Sequence, residues 1–356
     1  MTIENFTIPK WYDLHVHFRQ GEAMTDYIQA HIDMGCAGVL AMPNTQPPVA
    51  RISGENTGNY WTIESYLNDI KTAKGNAFDD IIVPLYLTPD TTPQMIIDGA
   101  KSGFLRSAKY YPPHGTTNSE HGAGLDTYMN NGVFEAMQDA GVILNIHGEE
   151  HGLSGEDYFG QDTNAEDYFY REYMPKLVET FPNPKIVCEH ITTKTACDFV
   201  MNASHNVAAT ITPQHLMFTV ADLLQGLKYH LYCLPLVKFE KDKQALLNAA
   251  KSGNAKFFAG TDSAPHTTKC TPCGCAAGCF TGGIAPQLYA QGFDLCEGNF
   301  DAFKKFLSLN GPKFYGLKIS TESFTLEKTP SNPDATSNAT PLHKGLNIDL
   351  EWTLTL

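Results

Sequence analysis

The sequence predicts an α/β fold, the (β/α)8 or TIM barrel, and three observations support this prediction. Eight short apolar or β-branched runs alternate with stretches long enough for one helix each. Most of these runs are continuously apolar, as expected for parallel strands that are covered on both faces. Unusual polar residues stand at the C-terminal ends of the runs, where a barrel of this kind carries its site.

The predicted elements follow one another in strand–helix order. Strands are predicted at 11–17, 37–43, 81–87, 103–110, 142–147, 185–190, 207–212 and 256–262. Helices are predicted at 22–34, 61–74, 92–101, 131–140, 166–180, 193–203 and 240–252. The chain has 356 residues, of which 42% are hydrophobic, and α/β barrels of this length form one domain. We therefore predict a single domain over 1–356.

Two segments at the C-terminal end are predicted to lie outside the barrel. The stretch 329–340 (TPSNPDATSNAT) is rich in turn-forming residues, so we predict a surface linker. Over 345–356, large apolar side chains alternate with polar ones, which predicts a half-buried terminal strand. The pattern leaves open whether that strand packs on the flank of the barrel or extends the sheet of a partner.

Charge and composition exclude several classes of protein. The formal net charge of −14 disfavours nucleic acid and anionic membrane surfaces, because both bind clustered lysine and arginine. No apolar run approaches the ~20 residues of a membrane span. The first residues, MTIENFTIPKWYD, have neither the basic nor the apolar region of a secretory signal, so we expect none. Nine cysteines, an odd number, favour free thiols in a reducing compartment. We expect a soluble, cytoplasmic protein, for which an anionic small-molecule substrate remains compatible with locally concentrated positive charge.

The first predicted strand carries DLHVHFR at 13–19. Strand side chains alternate between faces, so the odd-numbered polar residues should face a site while the even-numbered apolar ones pack under helices. The polar set is Asp13, His15, His17 and Arg19, and the apolar set is Leu14, Val16 and Phe18. Two imidazoles at this spacing can share one cation, and neutral imidazole is a common zinc ligand. The pair alone fits two surface or network histidines equally well.

Further polar residues fall at later strand ends. They are Asn44, Lys109, His147, His190, Asp262 and His266. Taken singly, His147 and His190 fit core histidines, and Asp262 fits a turn cap. One metal site explains them together. Four histidines and one aspartate are too many ligands for a single tetrahedral zinc that keeps an open position, so the set predicts two metal ions.

Lys109 ends the fourth predicted strand, where an ammonium would be buried and, beside two cations, repelled. Burial and neighbouring cations lower the pKa of a lysine, and a neutral amine can add carbon dioxide to form a carbamate. Such an anion has two oxygens and can bridge two metal ions. The alternative is a lysine that extends along its strand to a surface carboxylate.

Motifs spread over nearly the whole chain resemble those of one family. In chain order they are DLHVHFR, MPNT, AKYYP with GTTNS, IHGE, CEHITTK, ATITPQHL, YCLPLVK, GTDSAPH, CGCAAGCF and NGPKFYGL. H-x-H alone is shared by the whole amidohydrolase superfamily, whose members include metal-dependent hydrolases. The set together resembles the dihydroorotases of the shorter bacterial and fungal type.

This resemblance implies a role for each matching residue. One Zn²⁺ would be held by His15, His17, Asp262 and N6-carboxylated Lys109, and a second by the same Lys109, His147 and His190, with a hydroxide between them. Substrate contacts are implied for Arg19, Asn44 and His266, which hold a carboxylate, and for the backbone at Leu234 and Ala277. One alanine more than the family carries leaves Ala276 as the alternative to Ala277.

The resemblance also implies the reaction. It is the reversible cyclisation of N-carbamoyl-L-aspartate to L-dihydroorotate, the third step of de novo pyrimidine (UMP) biosynthesis. Zinc lowers the pKa of water from ~15.7 towards about 7, which gives a nucleophile at neutral pH. Asp262 would carry the proton to the leaving nitrogen as the catalytic residue. A homodimer is implied by the same resemblance.

The loop from Tyr111 to Gly124 has too many prolines and glycines for a regular element. We interpret it as a lid, and the resemblance implies that Thr116 and Thr117 reach the substrate when it closes. The alternative is an inert surface loop.

Four cysteines offer a competing metal site. Cys270, Cys273, Cys275 and Cys279 form C-x2-C-x-C-x3-C, which also fits a zinc or iron–sulfur loop. Cys270 has no counterpart in the family's CGC-A-GC segment. We favour the histidine site over this cysteine site as the place of metal binding.

Two other functions stay open. One is a hydantoinase or dihydropyrimidinase-like cyclic amidohydrolase, and the other is a non-catalytic barrel scaffold. The complete ligand set argues against a scaffold. Arg19, Asn44 and the TTN sequence argue against a hydantoinase, which need not bind a carboxylate there. A mononuclear deaminase would have no role for Lys109.

Overall fold

The computed structural model describes residues 3–334 and 337–356. Its strands are β1 (Asn5–Pro9), β2 (Trp11–Val16), β3 (Cys36–Ala41), β4 (Val49–Arg51), β5 (Trp61–Thr62), β6 (Asp80–Ile82), β7 (Leu85–Tyr86), β8 (Ser107–Tyr110), β9 (Ile143–His147), β10 (Ile186–Glu189), β11 (Val207–Ile211), β12 (Phe257–Ala259), β13 (Cys270–Thr271), β14 (Gly274–Cys275), β15 (Ser323–Glu327) and β16 (Thr353–Thr355). Its α-helices are α1 (Met24–Asp33), α2 (Ile63–Thr72), α3 (Pro93–Ser102), α4 (Leu125–Asn130), α5 (Val133–Ala140), α6 (Gly155–Phe159), α7 (Ala165–Glu172), α8 (Met174–Thr180), α9 (Lys194–Asn202), α10 (Pro213–Met217), α11 (Val220–Leu224), α12 (Glu240–Lys251), α13 (Ala285–Gly292), α14 (Phe300–Lys304), α15 (Asn310–Tyr315) and α16 (Leu342–Leu346). Every helix among these residues is too short or too polar to cross a bilayer.

A parallel TIM barrel forms the centre of the fold, as predicted. Strands β2, β3 and β6 pair in that order, and β7 to β12 pair in sequence order. The ring closes between β12 and β2, where the Asp262 amide donates to the His15 carbonyl at 2.9 Å and the His17 amide to the Ser263 carbonyl at 3.0 Å. The closure brings the first and last barrel strands, and the polar residues at their ends, side by side.

One predicted barrel strand is divided. The run 81–87 forms β6 and β7, with Val83 and Pro84 between them. Proline has no amide hydrogen to donate to a neighbouring strand, so the ladder is interrupted there. β6 pairs with β3, and β7 pairs with β8. The two pieces together occupy the third position of the barrel.

One predicted helix is also divided. The segment 166–180 forms α7 and α8, which meet at Tyr173. Pro175 lies in the first turn of α8, where its missing N–H costs nothing, although it could not continue α7. The spacing of apolar residues continues from α7 into α8, so it predicts one helix where the structure has two.

The interior of the barrel is layered. Its lower layer is an apolar cluster drawn from seven strands, namely Tyr12, Leu14, Leu40, Ile82, Ile143, Val187, Ala208 and Phe258. Alternate residues of the same strands, such as Val39 and Leu144, belong to the larger cluster that also contains the helices' apolar side chains. Above the lower layer the interior is polar, with Asn145, Glu189 and Thr210 joined by hydrogen bonds. This polar layer supports the site at the strands' C-terminal ends.

The C-terminal strand predicted over 345–356 is wrong for most of its length. Residues Leu342–Leu346 form helix α16, which ends at Asn347 in a left-handed conformation, and only Thr353–Thr355 is a strand. That strand pairs with β15, and β15 pairs with β1, so the tail extends a small antiparallel sheet of its own chain. The alternating pattern correctly predicts that Leu350 and Trp352 are buried. It does not predict the backbone conformation of these two residues, which lie outside the strand.

The linker predicted over 329–340 includes residues 335 and 336, which lie outside the described residues. Its described part is mostly exposed or half-buried, as expected for a linker, but Ala339 is buried. The hydrogen bond from the Ser331 amide to the Leu350 carbonyl, at 2.9 Å, ties this segment to the tail.

Candidate active site

A pocket opens at the C-terminal ends of the barrel strands. It is lined by His15, His17, Arg19, Asn44, Tyr111, Thr116, Thr117, His147, His190, Leu234, Asp262, Ala264, Ala277 and Gly278. The list contains every site residue predicted from the sequence except Lys109 and His266. Lys109 is fully buried close by, and His266 contacts the lining residues Arg19 and Ala277. Ala277 lies in the wall, and Ala276 does not.

A break in the pairing of β2 with β3 changes which side chains of the first strand face the pocket. The register shifts between Asp13 and Val16, and such a bulge reverses the phase of the alternation. Asp13 therefore does not face the pocket, and its carboxylate accepts from Thr261 and from His31 of helix α1. Leu14 faces the barrel interior and packs in its lower layer, in the same cluster as Tyr12. The simple alternation predicted for these two residues is wrong, whereas His15 and His17 line the pocket as expected.

His15, His17 and Asp262 form one group of possible metal ligands. Their nearest ligand atoms lie within 4.8 Å of one another, and all three residues are buried. His17 Nε2 is 2.9 Å from Asp262 Oδ1, and His15 Nε2 is 3.5 Å from the same oxygen. Burial lowers the pKa of His15 and of His17 below the ordinary value, so both imidazoles are neutral. Neutral imidazole and carboxylate are the donors that zinc takes.

The carboxyl group of Asp262 is ionised in spite of its burial. Burial alone would raise the pKa of Asp262, but the hydrogen bond with His17 and the neighbouring imidazoles outweigh it and leave the pKa below the usual range. The residue is therefore available as a ligand and as a proton acceptor.

His147 and His190 form a second group beside the first. The ring centroids of His147 and His190 are 4.8 Å apart, and those of His190 and His15 are also 4.8 Å apart. His190 Nδ1 is buried and has no hydrogen-bond partner among the described residues. Burial lowers the pKa of His190 well below its ordinary value, so the orphaned nitrogen belongs to a neutral ring. A buried imidazole nitrogen that has no hydrogen-bond partner is suited to bind a metal ion.

Two buried carboxylates orient these imidazoles, and the sequence reasoning missed both. Glu189 Oε2 lies 2.7 Å from His15 Nδ1, and Glu149 Oε2 lies 3.1 Å from His147 Nε2. Because a carboxylate only accepts, each ring nitrogen facing it carries the proton, and the opposite nitrogen keeps its lone pair for a ligand. The sequence signal was present, since Glu189 precedes His190 and Glu149 follows His147 by two residues.

Lys109 has no hydrogen-bond partner among the described residues. Its Nζ is buried, and Tyr111 presents its ring at 5.1 Å from it. Burial lowers the pKa of Lys109, although the carboxylates of Glu189 and Asp262 oppose the shift. An ammonium in this position leaves its hydrogens unpaired at considerable cost. The position therefore fits a modified amine that takes part in binding cations.

Three residues of the site have a left-handed backbone. Arg19, His190 and Asp262 have φ values of 59°, 40° and 49°. Each stands just after a barrel strand, and for residues other than glycine this conformation costs of order 1–3 kcal/mol. The surrounding structure therefore holds each of these residues in an unfavourable backbone conformation. That conformation directs the side chain to the pocket.

Arg19 and His266 stand together at one side of the pocket. Arg19 Nε donates to the Pro265 carbonyl at 3.3 Å, and Arg19 Nη2 is 3.2 Å from His266 Nε2. His266 Nε2 is also 2.8 Å from the Ala277 carbonyl. A carbonyl can only accept, so Nε2 carries the proton when it bonds Ala277. Burial and the Arg19 charge lower the pKa of His266 to about 4, so Arg19 is the cation of this pair at neutral pH.

The loop from Tyr111 to Gly124 covers the pocket. Asn44 Nδ2 donates to the Thr117 carbonyl at 2.9 Å, and Asn118 Nδ2 returns a bond of 3.0 Å to the Asn44 carbonyl. Ser119, fully buried, bonds both the amide and the carbonyl of Thr116. These contacts hold Thr116 and Thr117 in the pocket wall.

Tyr111 is a further pocket residue that sequence reasoning did not single out. Its hydroxyl is buried and has no hydrogen-bond partner in the described ranges. Burial raises the pKa of Tyr111 well above its ordinary value, so the hydroxyl keeps its proton. It is a donor without an acceptor at the edge of the site.

The four cysteines of the competing metal site are not gathered together. Cys270 and Cys275 face each other in the hairpin of β13 and β14, but Cys279 is buried in a different apolar cluster. Over residues 3–334 and 337–356, the clustered metal-ligand group is the one of His15, His17 and Asp262. A four-cysteine zinc site is therefore not formed here.

The chain is similar to known proteins over nearly its whole length. A model of the amidohydrolase family matches residues 6–328. A dihydroorotase of Picosynechococcus sp. is 40% identical over 362 residues, which cover 98% of this chain and 98% of that protein. The crystal structure of dihydroorotase in complex with 5-fluoroorotic acid from Saccharomyces cerevisiae is similar with a TM-score of 0.84 and 28% identity, over 99% of both chains. A hydantoinase (dihydropyrimidinase) from Thermus sp. shares the fold at 14% identity, with a TM-score of 0.74 over 99% of this chain and 83% of that one.

Proposed function

This chain belongs to the amidohydrolase family and, within it, to the dihydroorotases, and on that premise we propose that its pocket interconverts N-carbamoyl-L-aspartate and L-dihydroorotate. Ring closure releases one water, and ring opening adds one water across a cyclic amide. The reaction is the third step of pyrimidine nucleotide biosynthesis.

One observation carries this proposal. Four imidazoles and Asp262, drawn from four barrel strand ends, converge beside a buried lysine whose Nζ has no partner in the described part of the chain. A protein that performs no chemistry gains nothing from such a costly arrangement. The donor types suit zinc, and their number suits two ions.

Two zinc ions would share these donors. The first would be held by His15, His17, Asp262 and the carbamate of Lys109, and the second by the same carbamate, His147 and His190. Carbon dioxide adds to the neutral amine of Lys109, a C–N bond forms and one proton leaves. The modification replaces a partnerless cation with an anion of two oxygens, which removes the cost of burying an unpaired ammonium.

When bound, the zinc ions would lower the pKa of water towards about 7 and polarise the ring carbonyl. Asp262 handles the proton. One oxygen of its carboxylate accepts the proton released as the new C–O bond forms. The same oxygen delivers that proton to the ring nitrogen as the C–N bond breaks. Ring closure follows these transfers in reverse.

Arg19 binds the carboxylate that the substrate carries on its ring carbon. Its planar guanidinium can donate two parallel hydrogen bonds to a carboxylate, which lysine cannot do. The bond from Arg19 Nε to the Pro265 carbonyl fixes the plane of the guanidinium. The guanidinium places a positive charge in the pocket wall, which suits an anionic substrate although the chain has a net charge of −14.

Asn44 links substrate binding to the loop. An amide nitrogen has two hydrogens, and Asn44 Nδ2 gives one of them to the Thr117 carbonyl. The second remains for the substrate carboxylate. The loop position and the substrate contact therefore depend on the same side chain, and the hydroxyls of Thr116 and Thr117 complete the enclosure.

A hydantoinase-like activity is the alternative, because those enzymes share the fold. The two activities differ in whether the substrate carries a carboxylate for Arg19. Purified protein would be assayed for ring opening of dihydroorotate and of dihydrouracil, which lacks that carboxylate, with zinc measured on the same sample. We expect turnover of dihydroorotate alone with two zinc ions per chain. Comparable turnover of dihydrouracil would favour the alternative, and the variant Asp262→Asn controls for contaminating activity.

We also propose that the chain acts as a homodimer in the cytoplasm, which its resemblance to dihydroorotases supports. Light scattering on the purified protein measures the first of these properties directly. A mass of one chain at working concentration would contradict it.

A further inference from the structure

Two cysteines of this chain face each other outside the active site. Cys270 and Cys275 are register partners in the hairpin of β13 and β14, and their sulfur atoms are 3.4 Å apart. Cys270 is exposed and Cys275 is half-buried, so small reagents can reach both. The hairpin turns through Pro272 and Cys273.

The backbone geometry suits a covalent bond between them. The next pair along the hairpin is hydrogen-bonded, since the Ala276 amide donates to the Lys269 carbonyl at 2.8 Å. Hydrogen-bonded and non-hydrogen-bonded pairs alternate in an antiparallel ladder, so Cys270 and Cys275 form a non-hydrogen-bonded pair. In such pairs the Cα atoms are about 4.5 Å apart, within the range of roughly 4.4–6.8 Å that a disulfide requires.

We propose that Cys270 and Cys275 are a modification site, a thiol pair that is converted reversibly to a cross-strand disulfide by low-molecular-weight disulfides such as glutathione disulfide. The thiolate of one cysteine attacks the reagent, forms a mixed disulfide and releases one glutathione thiol. The second cysteine then attacks the protein sulfur of that mixed disulfide and releases the other. The two protein thiols lose two electrons and two protons, and glutathione disulfide gains them.

The cross-link would act on the wall of the pocket. β14 continues directly into Ala277 and Gly278, which line the pocket. The ammonium of Lys269 fastens the same segment, because its Nζ donates to the carbonyls of Tyr232, Ala276 and Gly278. A disulfide between Cys270 and Cys275 closes the hairpin beside this anchor. It restricts the motion of the segment that carries the Ala277 carbonyl.

The test uses the full-length zinc-loaded protein and glutathione disulfide as the oxidant. We expect native protein to lose two titratable thiols and two hydrogens of mass, both restored by dithiothreitol. C270S and C275S should each abolish this change, whereas C273S, which alters the exposed thiol in the hairpin turn, should retain it. Each serine replaces a sulfur at an exposed or half-buried position of the same hairpin, so the three variants should fold alike.

A second measurement checks the predicted stiffening. Amide hydrogen exchange over Thr271–Gly274 should be slower in the oxidised protein than in the reduced one, and unchanged by the oxidant in C270S. Retention of the mass loss in C270S would assign the disulfide to another pair and overturn the proposal. Recovery of glutathione adducts alone, or of unchanged thiols, would overturn it as well.

Discussion

His15 Nδ1 lies 2.7 Å from Glu189 Oε2, and both side chains are buried at the floor of the pocket. The same oxygen accepts from Thr210 Oγ1 at 2.7 Å, and Oε1 accepts from Asn145 Nδ2 at 2.5 Å. Glu189 thus receives three hydrogen bonds and fixes the proton of His15 on Nδ1. The Nε2 lone pair of His15 is directed towards Asp262 as a result.

Glu189→Gln tests this relationship. A glutamine nitrogen would face one of the three donors, so His15 would lose its fixed orientation. We expect the affinity for zinc to fall by about 10–100-fold, with a matching loss of turnover at limiting zinc. Competition with a chelator measures the affinity. Glu179→Gln, at an exposed position of α8, is the control, and equal zinc affinity in both variants would contradict the role of Glu189.

Arg19→Ala tests the carboxylate contact. A hydrogen bond to a charged group contributes about 1.5–3 kcal/mol, so KM for dihydroorotate should rise by about 10–100-fold. Zinc content should not change, because no proposed ligand contacts are lost. Steady-state kinetics and elemental analysis measure both, and Arg171→Ala, exposed on α7, is the control. Loss of zinc with KM preserved would instead make Arg19 a structural residue.

The double variant Thr116→Val, Thr117→Val tests the loop. Valine keeps the shape and the backbone bond from Asn44 but removes both hydroxyls. With each hydrogen bond contributing about 0.5–1.5 kcal/mol, kcat/KM should fall by about 10-fold or more. Zinc content should stay the same. Thr127→Val on α4 serves for comparison, and kinetics equal to those of that variant would show an inert loop.

His266 contributes to the dependence of stability on pH. Its pKa is about 4 in the folded protein, against about 6.5 in the unfolded chain. The unfolded chain therefore binds the extra proton first as the pH falls, so the free energy of unfolding decreases between pH 6.5 and pH 4. His266→Asn should make this decrease shallower, as measured by urea unfolding across that range. His205→Asn, at an exposed position, should leave the slope unchanged, and identical slopes in both variants would contradict the buried neutral state of His266.

The residues at the barrel's strand ends could be predicted from the sequence because strand–helix order fixes which end of each strand carries function. That rule places the polar residues from His15 to Asp262 at one end of the barrel, whereas their roles as ligands are implied by the resemblance to dihydroorotases. The direction of Asp13 could not be predicted, since it depends on a bulge in the pairing with the next strand. The role of Glu189 in orienting His15 could not be predicted for a related reason. A carboxylate next to a histidine in sequence acquires its role only through its contact with His15, a residue 174 positions away.

For the four cysteines, the sequence predicts a site that the structure does not form. Their spacing fits a metal loop, yet a metal loop needs four sulfurs on one side of the chain. The hairpin sends Cys270 and Cys275 outwards, while Cys279 returns into an apolar cluster with Leu231 and Leu288. Spacing along the chain did not contain that information. The tail helix α16 depended in the same way on packing rather than on apolar pattern. The divided strand differs, because Pro84 is a sequence signal for an interrupted ladder.

The central claim is that Lys109 carries a carbamate between two zinc ions. Mass spectrometry of the intact native protein, with zinc counted on the same sample, tests it most directly. We predict two zinc ions and the added mass of one carbon dioxide, located on Lys109 and lost on acidification, with neither the adduct nor full zinc occupancy in Lys109→Ala. A fully active protein whose Lys109 is unmodified would contradict the account.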